Sequence, residues 1–267
     1  DLAHLAGERM ADAAVSNGRM IDRNLFERYG DVQAFAANPE AVGTAAEQQA
    51  LVDFLTKAYG VYDLVMIVDA SGRVTAVNAV DYEGSGIGTD ALIGVDVSGE
   101  DWFTTVMEGN TPDGGTHYSD AHQSDLVARA YGDDRITLPF SAPITDDAGQ
   151  IVGVWHNEAS FERTVGGVFD DLSAQFERNG LPSVHSQLVN GDGLVLRGGS
   201  PEEALNLNLL DEGLESARLA VDNPGQWGDL VEADEATGED EVVGYYGLDG
   251  FGSFEGYHWG VLVREAA

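Results

Sequence analysis

The segment HYSDAH (His117–His122) gathers two imidazoles, a phenol and a carboxylate, the donor types that hold a metal ion or relay a proton. On a single strand, residues two or four apart share a face, so two histidines five apart do not. A zinc site also wants three or four convergent ligands, which this segment does not supply. Ser141, His156 and Asp146 can be assembled into a hydrolase triad, yet no nucleophile-elbow sequence surrounds the serine. DEATGEDE (Asp234–Glu241) offers oxygen ligands for calcium, but not at EF-hand spacing, and acidic hairpin tips with glycine are common. GSGIG (Gly84–Gly88) does not follow a strand and open a helix as a phosphate-binding loop would, and reads as a flexible loop. Carboxylate pairs suited to glycoside cleavage carry no information in a chain with 47 acidic residues. The expectation is a protein that binds without catalysing, with no cofactor and no resident metal.

Composition narrows the partners. The chain has 267 residues, 43% of them hydrophobic, enough for one large core or two ordinary ones. Its formal charge of −34 sets 47 acids against 13 basic residues, and Lys57 is the sole lysine. Such a surface repels nucleic acid and anionic lipid. The acids are scattered among aliphatic and aromatic residues, the pattern of a folded protein built for brine and not of a disordered acidic tail. Cysteine is absent, so neither disulfides nor thiolate metal sites enter the argument. No run of 18 or more apolar residues appears, and the start DLAHLAGERMADAAV lacks the order of a signal peptide. A fragment lying between two membrane spans fits these features.

Any binding residues must be placed by the elements around them. Apolar residues recur at helical spacing from Leu2 to about Ala37, where Asn38-Pro39 stops the pattern, and a second helix spans roughly Ala45 to Tyr59. The period then changes to the strand type, with YDLVMIVD and RVTAVNAV forming a hairpin. A short helix is expected from about Gly99 to Gly109, then strands at 115–119, 124–131, 135–142 and 151–157. Phe161–Gly180 reads as an amphipathic helix ended by Asn179-Gly180. A shorter set follows: the hairpin HSQLVNGDGLVLRGG, a helix over Asn206–Val221, and three strands in GQWGDLVEA, DEVVGYYGLDG and GYHWGVLVRE. Asp69-Gly72, Asp146-Gly149 and Asn190-Gly193 share one turn chemistry, aspartate or asparagine bonding the backbone and glycine permitting positive φ. The fold class is α+β, a long N-terminal helix with two antiparallel-sheet modules. The expected domains are helices at 1–60, a first module at 61–160, a connecting helix at 161–182 and a second module at 183–267.

RYGDVQAFAANP, VMIVDASGRVTAVN, DVSGEDWFTTVMEG, FSAPITDDAGQIVGVWHNEAS and HWGVLVREA, in this order and spacing, resemble the double Cache (tandem PAS-like) sensor domains of chemoreceptors and membrane histidine kinases. The likeness covers nearly the whole chain. It implies an extracytoplasmic module between two transmembrane helices, a small-molecule ligand in the membrane-distal first module, and a possible homodimer along the long helix. Among halophilic archaea, similar domains belong to transducer proteins for taxis; a histidine-kinase sensor and a secreted binding module are the alternatives. By the resemblance, Trp102 and Phe103 stand where an aromatic pair packs on the ligand, and Tyr118 and Asp120 match residues that receive an ammonium group. Asn157 stands near the family's last acidic ligand. Glu100 occupies the place of an arginine that grips a carboxylate in the amino-acid-binding pattern, which tilts the expectation toward an amine or a neutral molecule. Tyr82 and Tyr131 either line the same cavity or cover the sheet edge. Trp102 and Phe103 could equally fill the core, with Asp120 solvated.

The charge excess carries a prediction of its own. Carboxylates repel over roughly 30 Å at 0.01 M salt but only about 3 Å at 1 M. The melting temperature is therefore expected to rise by on the order of 10 °C between dilute buffer and molar KCl. Full stability at low ionic strength, measured by circular dichroism, would contradict the brine reading.

Overall fold

The computed structural model describes residues 2–112 and 115–267. Helix α1 (Leu2–Ala36) ends just before Asn38, whose side chain accepts a hydrogen bond from the Glu40 amide as Pro39 opens a short 3-10 turn. Helix α2 (Ala45–Tyr59) starts at a reciprocal cap, Thr44 with Glu47, and ends at Gly60 in the left-handed conformation. Both helices match the periodicity and stop signals of the sequence. Among the described residues, no helix is long and apolar enough to cross a membrane.

The chain divides into two compact units. One comprises residues 27–164 and the other residues 1–26 with 165–267, so α1 contributes to both. In the first, β1 (Tyr62–Asp69), β2 (Val74–Val77), β3 (His117–Tyr118), β4 (His122–Gln123), β5 (Ile136–Thr145) and β6 (Ile151–Ser160) form an antiparallel sheet in the order β2-β1-β6-β5-β3, with β4 also on β5. Alternation along β6 sends Trp155 toward Phe35 of α1, at 5.8 Å between ring centroids, and His156 toward the opposite face. That opposite face carries α3 (Asp101–Met107) and α4 (Asp125–Tyr131) over a core of Leu64, Met66, Val68, Phe103, Val106, Val127 and Val154.

In the second unit, α5 (Gly167–Arg178) precedes β7 (His185–Val189), β8 (Val195–Arg197), α6 (Glu215–Asp222), β9 (Trp227–Ala233), β10 (Asp240–Gly247) and β11 (Gly260–Ala266). The sheet order is β8-β7-β11-β10-β9, and Val189, Val195, Leu209, Ala217, Val243 and Leu262 fill its core. The N-terminal part of α1 packs so closely here that a Cβ on Gly244 would lie 2.1 Å from the backbone of Met10 and Ala11.

The three turns singled out in the sequence share one geometry. Asp69, Asp146 and Asn190 each accept two backbone N–H groups through Oδ1, from the residues two and four positions on. The glycine of each turn has φ between 79° and 86°. Asp81 repeats the device with Gly84, so the Gly84–Gly88 segment begins in an ordered turn and is not simply a flexible loop.

Two elements depart from the sequence reading. Residues 124–131 form helix α4 and not a strand: Ser124 caps it by accepting from the Val127 amide, and Gly132 closes it in the left-handed conformation. The helix over Asn206–Val221 shrinks to α6, because the Asn208 side chain takes the Leu210 and Asp211 amides into a local turn. The backbone contact at Gly244 generates a prediction. Gly244→Ala should destabilise the protein by roughly 1–3 kcal/mol in urea unfolding, since the obstructing atoms are backbone and cannot rotate away. Unchanged stability would contradict this packing.

Candidate functional site

Strand β6 builds the floor of the site. Within WHNEAS, His156 and Glu158 are two apart and share the face that α3 and α4 cover, while Trp155 and Asn157 share the other. Glu158 is buried, and its carboxylate accepts from Thr137 Oγ1 at 2.9 Å and meets His156 Nε2 and His122 Nε2 at 3.0 Å each. His156 Nδ1 lies 2.7 Å from Ser141 Oγ on the paired strand. The Trp102 indole of α3 stacks on the His156 ring at 3.9 Å and 20°. A ring that would otherwise face an open cavity is thereby held flat and roofed.

Electrostatics follow from this packing. Burial works to raise the Glu158 pKa, but the hydrogen bonds and charges of His122 and His156 outweigh it and bring the carboxyl down to about 2. Burial likewise opposes charging of His122, and its bond to Glu158 reverses the balance, raising the imidazole above 6.5. His117 goes the other way, lowered first by burial and then by repulsion from His156.

Above this floor lies a cavity of about 510 Å³, walled by Glu100, Asp101 and Trp102 of the α3 start, His117 and Ser119, His122 to Leu126, Pro139 and Glu158. Among the described residues, four carboxylates line it, with no arginine or lysine. Arg135 is engaged elsewhere: it pairs with Asp133 at 2.6 Å and Asp63 at 3.2 Å, and lies 4.0 Å over the Tyr131 ring. The arrangement can attract and desolvate a cation against an indole.

Of the seven residues expected to bind, only Trp102 is among those lining this cavity. Phe103, one residue on, points into the apolar core. Tyr118 packs edge-on against Tyr29 and stacks with Phe140, on the face opposite His117. Asp120 is exposed, with its carboxylate on the Ala121 amide. Tyr131 donates its hydroxyl to the Asp63 carbonyl, and Tyr82 lies 3.7 Å beneath the Arg163 guanidinium, so both serve packing on other surfaces. Asn157 is fully buried and accepts from Trp155 Nε1 at 2.9 Å, on the α1 face.

Of the residues missed, His156 and Glu158 carry a signal in their parity. An otherwise apolar strand carrying His156 and Glu158 two apart signals a polar patch on one face, and Asn157 between them belongs to the other. The five-residue gap between His117 and His122 misleads for a related reason: they sit on separate short strands, β3 and β4, and both reach the cavity. Asp146 is not part of a relay with Ser141 and His156, being the cap of the β5–β6 turn; Glu158 completes the series. Ser141 is fully buried beneath the stacked rings, which gives a nucleophile no route to a substrate carbonyl.

No protein-family model matches the chain, and no curated protein matches it. Solved structures do. The chain resembles an extracellular ligand-binding receptor from Desulfohalobium retbaense DSM5692 at 14% identity and a TM-score of 0.64, over 97% of this chain and 40% of that one. It resembles the ligand-binding domain of the amino-acid chemoreceptor PctB of Pseudomonas aeruginosa PAO1, solved with L-Arg, at 14% identity and 0.63, over 98% and 88%. It also resembles that of PctC from the same organism, solved with GABA, at 17% identity and 0.63, over 99% of both chains. The fold is that of a double Cache domain. The cavity belongs to the first unit, among residues 99–158.

The buried carboxylate sets a testable pH dependence. Above pH 4.5, the ordinary value, Glu158 is ionised in both folded and unfolded states and its contribution to stability is fully present. As pH falls through about 2 the folded state also protonates and the contribution is lost. Glu158→Ala, which strands two imidazoles, should cost about 3–5 kcal/mol at neutral pH. The deficit measured by urea unfolding should shrink below pH 4.5; a deficit independent of pH would contradict an ionised Glu158.

Proposed function

We propose that the chain is the extracytoplasmic ligand-sensing domain of a transmembrane receptor of the chemotaxis-transducer kind, and that its first module binds a small cationic amine. The observation that carries this reading is the cavity in which Glu100, Asp101, Asp125 and Glu158 surround Trp102 without any guanidinium or ammonium group among the described residues. Two unit charges about 4 Å apart near a protein surface attract by roughly 4 kcal/mol, and an indole face adds about 0.5–2 kcal/mol. A free carboxylate ligand finds no bidentate partner there and meets the like charges of Glu100, Asp101 and Asp125.

PctB was solved with L-Arg and PctC with GABA, ligands that carry amino groups, which is consistent with an amine as ligand here. Recognition in this chain would differ in the absence of a carboxylate clamp, Glu100 standing where the amino-acid pattern has arginine. The bound amine would sit between the start of α3 and β4, with His122 and Glu158 beneath it. As a sensor, the domain would pass a ligand-dependent change to flanking membrane helices, and only a difference in affinity between two states can drive that change.

Calorimetric titration in molar KCl distinguishes the ligand classes. Primary amines and diamines are expected to bind, and dicarboxylates are not. Trp102→Ala should weaken amine binding by roughly 3–30-fold, the equivalent of losing the cation–π contact. Binding of organic acids alone, or unchanged amine affinity in the variant, would overturn the proposal.

A further inference from the structure

The acidic hairpin tip DEATGEDE acquires a partner from a distant part of the chain. His185 on β7, Asp234 in the β9–β10 turn and Glu241 on β10 bring one ligand atom each within 4.8 Å of one another. His185 Nε2 is 3.9 Å from Glu241 Oε1. All three belong to the unit of residues 1–26 and 165–267, remote in sequence from the amine cavity.

The surroundings hold these groups in place. Arg264 is fully buried and reaches Glu241 Oε2 at 3.4 Å and Glu232 at 3.0 Å, which fixes one oxygen of Glu241 and leaves Oε1 toward the histidine. The Asp234 side chain is set by the turn it caps, accepting the Ala236 and Thr237 amides at 3.0 and 2.6 Å. Gln187 receives Arg264 Nε at 2.8 Å and donates to Glu235 Oε1 at 3.3 Å. The other oxygen of Glu235 is buried with no hydrogen-bond partner. Glu232 and Glu241 pair with the one guanidinium of Arg264, and Asp234 and Glu235 add two further carboxylates in the adjoining β9–β10 turn.

We propose that this cluster is a binding site for a divalent transition-metal ion of the zinc class. One imidazole nitrogen with two carboxylate oxygens is a donor set for such ions, whereas calcium takes six to eight oxygens and gains nothing from the histidine. Around a tetrahedral ion with bonds of about 2.0–2.1 Å, ligand atoms lie about 3.4 Å apart. His185 is only partly buried, so rotation of its side chain can close the remaining distance while Asp234 keeps its place in the turn. A bound ion would tie β7 to the β9–β10 turn and compensate the excess negative charge around Arg264.

The test uses the full chain and the metal alone. Equilibrium dialysis with Zn2+ or Co2+ in molar potassium nitrate screens diffuse attraction to the acidic surface, since the Debye length there is about 3 Å. One equivalent is expected to bind and to raise the melting temperature. His185→Gln and Asp234→Asn, which leave the ion pairs of Arg264 with Glu232 and Glu241 in place, should each weaken binding at least tenfold while circular dichroism stays unchanged. Bound Co2+ should show visible absorption bands that the His185→Gln protein lacks. Substoichiometric uptake, or an affinity unchanged in either variant, would overturn the proposal and leave only diffuse cation binding.

Discussion

A carboxylate buried as deeply as Glu158 remains ionised only if donors replace the water it has lost. The first module is arranged around that requirement. Thr137 and two histidines surround the carboxylate, Ser141 orients one of those histidines from its far nitrogen, and Trp102 lies flat over the same ring. The partners come from four different elements: β5, β4, β6 and α3. The polar network therefore fixes how the short segments over the sheet are laid down, and the cavity is the space left above it.

The cavity inherits its character from the same network. His122 spends its charge on Glu158, leaving the outer carboxylates Glu100, Asp101 and Asp125 without a guanidinium or ammonium partner in the described wall. In a chain of charge −34, an acidic surface by itself carries no message about ligands. What distinguishes this patch is concavity, an indole wall and a desolvated floor, the features that turn diffuse attraction into a site. The second module places its buried charge differently, with Arg264 at the centre of carboxylates, so the two sheets share topology without sharing chemistry.

The fold is largely legible in the sequence because local signals agree with the global arrangement. The Asn38-Pro39 stop and the repeated Asp-x-x-Gly turns each act within a few residues, and each reappears in the structure. The strand reading of residues 124–131 passes over two local helix signals, the Ser124 cap and the closing Gly132. The site is far less legible. Trp102 stands out because it opens a recognisable helix, but Glu158, His156, His117 and His122 meet only through cross-strand pairing, which a one-dimensional reading does not reveal. Asn157 shows how a shift of one residue in a strand exchanges a cavity for the opposite face.

The central claim, an ionised Glu158 shared by histidines at the base of an otherwise uncompensated acidic cavity, is most directly tested by nitrogen-15 NMR of the histidine rings across pH 5 to 8. Two imidazoles lining one cavity should titrate on opposite sides of 6.5, His122 above it and His117 below. If both titrate together at the ordinary value, or His122 falls below it, the buried carboxylate is not holding the site as described.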